Sequence, residues 1–231
     1  MRIQKYLSQQ KILSRRETEN YIRRGLIACN GKIVRDLGRQ IDPEKDKIEI
    51  LAPAKNEINK KITVAINKPR DIVCSKNKAE GKTIFELLPE FENLNAVGRL
   101  DKDSEGLILL SNDGVITSVI TGNDHKIEKE YEVNVREDLS RNKMSILENG
   151  VMIDGKITLP AQTKITGDHT FNIILKEGRK HQIRRMADVI QLTIFKLKRV
   201  RIGNILLKDI KVGDHRTLSI VEVNKLKNLS K

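Results

Sequence analysis

The run Gly106-Leu107-Ile108-Leu109-Leu110 constrains the fold more than any other stretch of this chain. Four consecutive large apolar residues leave no polar face for water, and the turn formers Ser111-Asn112-Asp113-Gly114 stop the run after one strand's length. So short and so apolar a segment predicts a strand buried within a sheet. Ile62-Thr63-Val64-Ala65-Ile66 repeats the pattern and ends at Asn67-Lys68-Pro69, where proline removes a ladder donor. Residues 129–135, 163–166, 170–175 and 194–200 are further strand candidates. Helices are expected over 83–88 (closed by Pro89), just after Gly114, and over 140–148, 182–189 and 219–226, the last with Ser219 and Glu222 at capping-box spacing. Strands with helices interspersed predict an α+β region with a mostly antiparallel sheet.

The first fifty residues read as a separate small unit. Ile3, Tyr6, Leu7 and Gln10 fall near helical spacing and form one stripe. Ser14-Arg15-Arg16-Glu17 fits a capping box, which predicts a second helix running to Arg24 and stopping at Gly25. Leu26–Cys29 and Lys32–Val34 flank Asn30-Gly31, a pair that tolerates the positive φ angles of a tight hairpin turn. A unit of this size buries little apolar surface. Its exposed arginines, Arg15, Arg16, Arg23 and Arg24, lie on and around the second helix and read as an RNA-docking face. Residues 52–61 are polar, contain Pro53 and follow no strong period, so they read as a linker. The expected organisation is a small domain over 1–51, a linker over 52–61 and a larger domain over 62–231.

Charge points to the partner. The chain has 44 basic and 31 acidic residues and a net charge of +13, which favours a polyanion because each neutralised phosphate releases a counterion. The excess is clustered: residues 1–35 hold nine basic and two acidic side chains, and residues 176–201 hold nine and two again. Cys29 and Cys74 form no CxxC pair, and the histidines sit at no metal-ligand spacing, so neither a zinc site nor a disulfide framework is expected. The N-terminus lacks an apolar leader and no run is long enough to span a bilayer, so a cytoplasmic protein without membrane contact is expected.

The densest carboxylate cluster is Asp101-Lys102-Asp103-Ser104-Glu105-Gly106. It opens like a calcium loop but fails as one, because Asn112 stands where a bidentate glutamate is required and the central positions are Leu107–Leu110. A two-carboxylate hydrolase using Asp101 with Asp103 or Glu105 lacks an aromatic sugar platform, and no glycine-rich phosphate loop occurs. Two other features keep Asp101 company. Tyr131 is the sole tyrosine after the first domain and offers a face for a displaced nucleobase. The stretch 177–186 places Arg179, Lys180, Arg184 and Arg185 at a loop-to-helix junction, a natural phosphate site, and one of its arginines could instead turn inward to hold a buried carboxylate ionised.

The ungapped stretch from Val97 through Gly98-Arg99-Leu100-Asp101 to Gly114 resembles the signature of the RsuA/RluB/RluE/RluF family of rRNA pseudouridine synthases. Asn67-Lys68-Pro69, Lys129-Glu130-Tyr131 and the 177–186 stretch accompany it in order, and residues 1–50 resemble the alpha-L RNA-binding motif that precedes the catalytic domain in that family. Gly122-Asn123-Asp124-His125 is most similar to the RluF branch, which implies large-subunit (23S) rRNA as substrate. His181 stands where many members carry arginine. The resemblance implies a mixed, mainly antiparallel sheet with a central cleft, and a cofactor-free isomerase acting as a monomer by base flipping. It implies Asp101 as the catalytic residue, Arg99 entering the RNA helix in place of the flipped uridine, Tyr131 stacking on the base and Arg184 pairing with Asp101. Lys68 joins the substrate-binding set, and Arg179, Lys180 and Arg185 the RNA-binding set. A small-subunit (16S) enzyme and a non-catalytic RNA-binding ribosome-assembly factor remain the alternatives.

Overall fold

The computed structural model describes residues 1–122 and 127–229, so the Asn123-Asp124-His125 string lies outside the described residues. The N-terminal unit contains α1 (Ile3–Gln9), α2 (Arg15–Arg23), β1 (Ile27–Cys29), β2 (Lys32–Ile33), β3 (Ile48–Ile50) and α3 (Ala52–Asn59). The Ser14–Glu17 capping box forms as its spacing predicts. Asn30 and Gly31, at φ 50° and 75°, make the hairpin turn that brings Cys29 opposite Lys32. The segment expected as a linker is α3: Ala54 is fully buried in the first unit's core and Ile58 packs against it. Proline lacks only a donor that has no partner in a helix's first turn, so Pro53 starts this helix rather than breaking a segment.

The larger unit runs β4 (Thr63–Lys68), α4 (Ile84–Leu87), β5 (Asn95–Val97), β6 (Glu105–Ser111), α5 (Gly114–Thr121), β7 (Lys129–Val135), α6 (Arg141–Asn149), β8 (Met152–Ile153), β9 (Lys156–Ile157), β10 (Gln162–Gly167), β11 (Thr170–Leu175), α7 (Gln182–Val189), β12 (Ile194–Ile202), β13 (Ile205–Leu206), β14 (His215–Thr217) and α8 (Ile220–Asn228). Among the described residues, nine strands form one sheet in the order β10-β11-β7-β12-β6-β4-β14, with β13 beside β12 and β5 beside β6. All its pairs are antiparallel except β12–β6, so the sheet is mixed and mainly antiparallel.

The apolar run of β6 is buried on both faces, as expected. Leu107 and Leu109 enter the core formed with α5 and α8, while Ile108 and Leu110 enter the core formed with α4. A third core lies beyond β12, between the sheet and α6 and α7. The parallel β12–β6 pair spans only Lys198↔Glu105 and Arg199↔Gly106. At this junction Gly106 adopts φ 102°, and a Cβ there would stand 2.3 Å from the Arg199 carbonyl oxygen, so only glycine permits the strands to meet. The Asp101 loop immediately precedes it.

Candidate active site

Each residue of the loop 99–103 is held by its backbone from a different direction. The Arg99 carbonyl accepts from Arg199 Nη1 on β12 (3.4 Å). The Leu100 amide donates to Cys74 Sγ (3.5 Å), whose thiol donates back to the Leu100 carbonyl (3.4 Å). The Asp101 carbonyl closes a turn with the Ser104 amide (3.1 Å). The Lys102 carbonyl receives the Asp71 amide (2.9 Å) and Lys68 Nζ (3.4 Å), and the Asp103 carbonyl receives Arg184 Nη2 (3.5 Å). Leu100 itself is buried in the α4 core. The main chain is thereby fixed while the Asp101 side chain projects, 40% exposed, into a cavity of about 730 Å³.

Tyr131 reaches the same cavity from β7, packed between two cores, with the Arg199 guanidinium carbon 5.9 Å from its ring centre. Arg99 is exposed at the cavity wall, Lys180 lines it from the segment leading into α7, and Arg184 lines it from the first turn of α7. Arg99 and Asp101, from one loop, thus meet Tyr131 and Arg184, from distant parts of the sequence, at one opening. The group beside the Asp101 carboxylate is His181, with Nε2 3.5 Å from Oδ1. His181 takes the left-handed conformation at φ 52° where the chain enters α7, and this turn aims its ring at the carboxylate.

Several expected roles change. Arg184 makes no ion pair with Asp101; it donates to the Asp103 and Ile194 carbonyls (3.5 Å each) and so ties α7 to the Asp101 loop and to the start of β12. Lys68, expected to bind substrate, is fully buried, and its Nζ donates to the carbonyls of Pro69 (2.8 Å), Ile72 (2.7 Å) and Lys102 (3.4 Å). Burial pulls its ammonium below the usual lysine range, against the opposing pull of Cys74 and nearby aspartates. It is a post beneath the loop. Arg179, read as RNA-binding, spends its guanidinium on the carbonyls of Ile153, Lys156 and Ile157 and on Glu177. Arg185 is clamped in two-point contact with Asp154, and Arg24 likewise with Glu57 on α3 (3.0 and 2.5 Å). Arg15, Arg16, Arg23 and Lys180 stay exposed, with side chains in no ion pair among the described residues.

The cavity is also lined by three groups to which the sequence assigned no role in the site: Cys74, Arg199 and Lys129. Arg199 was counted only as one more charge in a basic stretch. Its signal was alternation, since Leu197 and Arg199 fall on one face of β12 and Lys196 and Lys198 on the other. No group of three or more His, Cys, Asp or Glu side chains that could hold a metal occurs among the described residues.

Comparison with known proteins agrees with this architecture. Residues 62–188 match the family model described as RNA pseudouridylate synthase, and residues 1–48 match the S4 domain. The chain is 35% identical to the dual-specificity RNA pseudouridine synthase RluF of Escherichia coli strain K12, over 95% of this chain and 76% of that protein. It is 36% identical to ribosomal large subunit pseudouridine synthase B of Buchnera aphidicola, over 99% and 96% of the two chains. With ribosomal small subunit pseudouridine synthase A of Haemophilus influenzae it shares 31% identity, over 98% and 99%. A crystal structure of a pseudouridylate synthase superposes with a TM-score of 0.71 at 30% identity, covering 98% of this chain and 99% of that one. The chain therefore belongs to the RNA pseudouridylate synthase family and carries an S4 domain before its catalytic domain.

Proposed function

We propose that this enzyme isomerises a uridine of large-subunit (23S) ribosomal RNA, in the cytoplasm and without a cofactor, using Asp101. One observation carries the reading: the loop around Asp101 is pinned residue by residue through its backbone, while the carboxylate itself reaches into a cavity shared with Tyr131. A cavity of about 730 Å³ accommodates one flipped nucleotide. The reaction breaks the C1′–N1 bond, turns the base and rejoins it through C5, with no change of oxidation state. Asp101 acts ionised, as a nucleophile at C1′ or as a base toward the C2′ proton. Tyr131 stacks on the base, and the exposed Arg99 side chain fills the gap left in the RNA helix. The exposed arginines of α2 supply phosphate contacts.

The large-subunit assignment is supported by the near end-to-end 36% match to a large-subunit enzyme, against 31% for a small-subunit one. Mapping pseudouridines in rRNA from cells with and without the gene tests it. The expected result is loss of modification at a 23S position. Loss confined to 16S rRNA would redirect the substrate, and no loss at all would overturn the enzymatic reading.

A further inference from the structure

The pairing of β7 with β12 sorts charges by face. Lys129 and Tyr131 are two residues apart on β7 and share a face, and Arg199 stands directly opposite Tyr131. On the other side, Arg201 binds Glu130 (2.8 Å) and Glu128 (3.2 Å), Lys176 also reaches Glu128 (3.6 Å), and Asn172 donates to Glu130 (3.2 Å). The carboxylates beside Lys129 in sequence are thereby engaged elsewhere.

On the cavity side, Arg199 and Lys129 have no carboxylate in contact among the described residues. Arg199 is 3% exposed; it donates to the carbonyls of Leu107 (2.6 Å) and Arg99 (3.4 Å), and its Nη2 has no partner. Lys129 Nζ donates to the Ile127 carbonyl (3.2 Å). Neither forms an ion pair among the described residues, and both line the cavity holding Asp101 and Tyr131. Burial, and then the Arg199 charge, pull Lys129 down to about 8. Two neighbouring cations without a counter-ion are costly in the resting enzyme and become favourable when an anion enters.

The Arg199 guanidinium lies against the Tyr131 ring, where a flipped base would stack, so the anion belongs at the base rather than at the phosphates. Resting on the isomerase reading above, we infer that Arg199 and Lys129 form the anion-holding site for the detached base. When C1′–N1 breaks, the electron pair leaves with the ring and spreads over its two carbonyl oxygens. Donors from Arg199 and Lys129 hold that charge while the ring turns. The pair then returns through C5 to form the new bond to C1′; the C5 proton passes to water, and N1, freed of the sugar, takes a proton from water, so the product is neutral. Neither residue forms a covalent bond. Both act by stabilising charge that exists only after cleavage.

The experiment measures single-turnover pseudouridine formation in an rRNA transcript at saturating enzyme, with RNA affinity measured separately, for wild type, Lys129→Met, Lys129→Arg and Arg199→Gln. Lys129→Met is expected to slow the chemical step on the order of 100-fold and to leave RNA affinity within about twofold, since a half-buried cation whose ammonium faces the cavity is turned toward the base and not the phosphates. Wild-type rate should fall as pH rises through about 8, where Lys129 loses its proton. Lys129→Arg should restore most of the rate and move that fall upward. The charged and titratable groups that share the cavity with Lys129 are Arg199 on β12, Arg99, Asp101 and Lys102 on the loop before β6, Glu80 before α4, Cys74, Tyr131 on β7, Lys176, Glu177, Arg179, Lys180 and His181 between β11 and α7, and Arg184 on α7; α5 contributes only Ile120 and Thr121. Arg199→Gln should slow the chemical step likewise, at a thermal midpoint showing that the fold persists. A Lys129→Met enzyme with wild-type rate at pH 7, or an alkaline fall unmoved in Lys129→Arg, would overturn the inference. A wild-type enzyme that leaves every uridine unchanged would overturn the functional reading itself, and the inference with it.

Discussion

Lys68 shows how this protein uses charge away from solvent. A fully buried ammonium with three carbonyl acceptors is fixed in space, and one of those carbonyls belongs to the residue after Asp101. Lys68→Met keeps the length of the side chain and removes the donors, leaving those carbonyls short of a partner. We expect a loss of about 2 kcal/mol in stability, seen as a lower denaturant midpoint, together with a drop in turnover because the loop is released. Unchanged turnover would mean that the post is dispensable. The same residue marks what could be read from sequence alone. Asp101, Arg99 and Tyr131 were singled out on the family resemblance, and the structure brings the three to one cavity. Lys68, Arg179, Arg185 and Arg24 were read as substrate or RNA contacts, whereas each has a protein partner in the structure, because a sequence displays a cation without displaying its partner. Glu57 and Asp154, which occupy two of them, lie about thirty residues away from the arginines they bind.

At the scale of elements, the cavity is framed where β6 and β12 meet in parallel over only two residue pairs directly after the Asp101 loop. Gly106 makes that meeting possible. Alanine there faces an unfavourable φ of 102° and a carbonyl oxygen at 2.3 Å, so Gly106→Ala is expected to cost roughly 2 kcal/mol or more. It should also move Arg199 away from Tyr131, lowering activity beyond what the stability loss explains. A variant with wild-type activity and melting behaviour would contradict this account of the junction. The apolar β6 run and the capping boxes of α2 and α8 were legible, since hydrophobic pattern and cap spacing are local signals. β5, β8, β9, β13 and β14 were not, each being only two or three residues long. α3 was hidden by a proline that a helix's first turn accepts.

At the scale of the molecule, the S4 domain is keyed to the catalytic domain by a small ionic network. Lys61 joins Glu17 of α2 (2.7 Å) to Asp113 at the start of α5 (3.2 Å), and Lys227 of α8 closes on Asp113 (2.6 Å). Burial pushes the Asp113 carboxyl up, but Lys227 and Lys61 outweigh it and hold the net value below the ordinary range. The docking thus persists at neutral pH and weakens only as strong acid protonates Asp113. Exposed Arg15, Arg16 and Arg23 are thereby carried on a unit held against the domain that contains Asp101. The central claim is that Asp101 performs the isomerisation. Its most direct test incubates purified wild-type and Asp101→Asn proteins with rRNA transcripts and quantifies both bound RNA and pseudouridine. The account predicts equal binding, with product formed by wild type and none by Asp101→Asn; pseudouridine formed by the Asp101→Asn protein would contradict it.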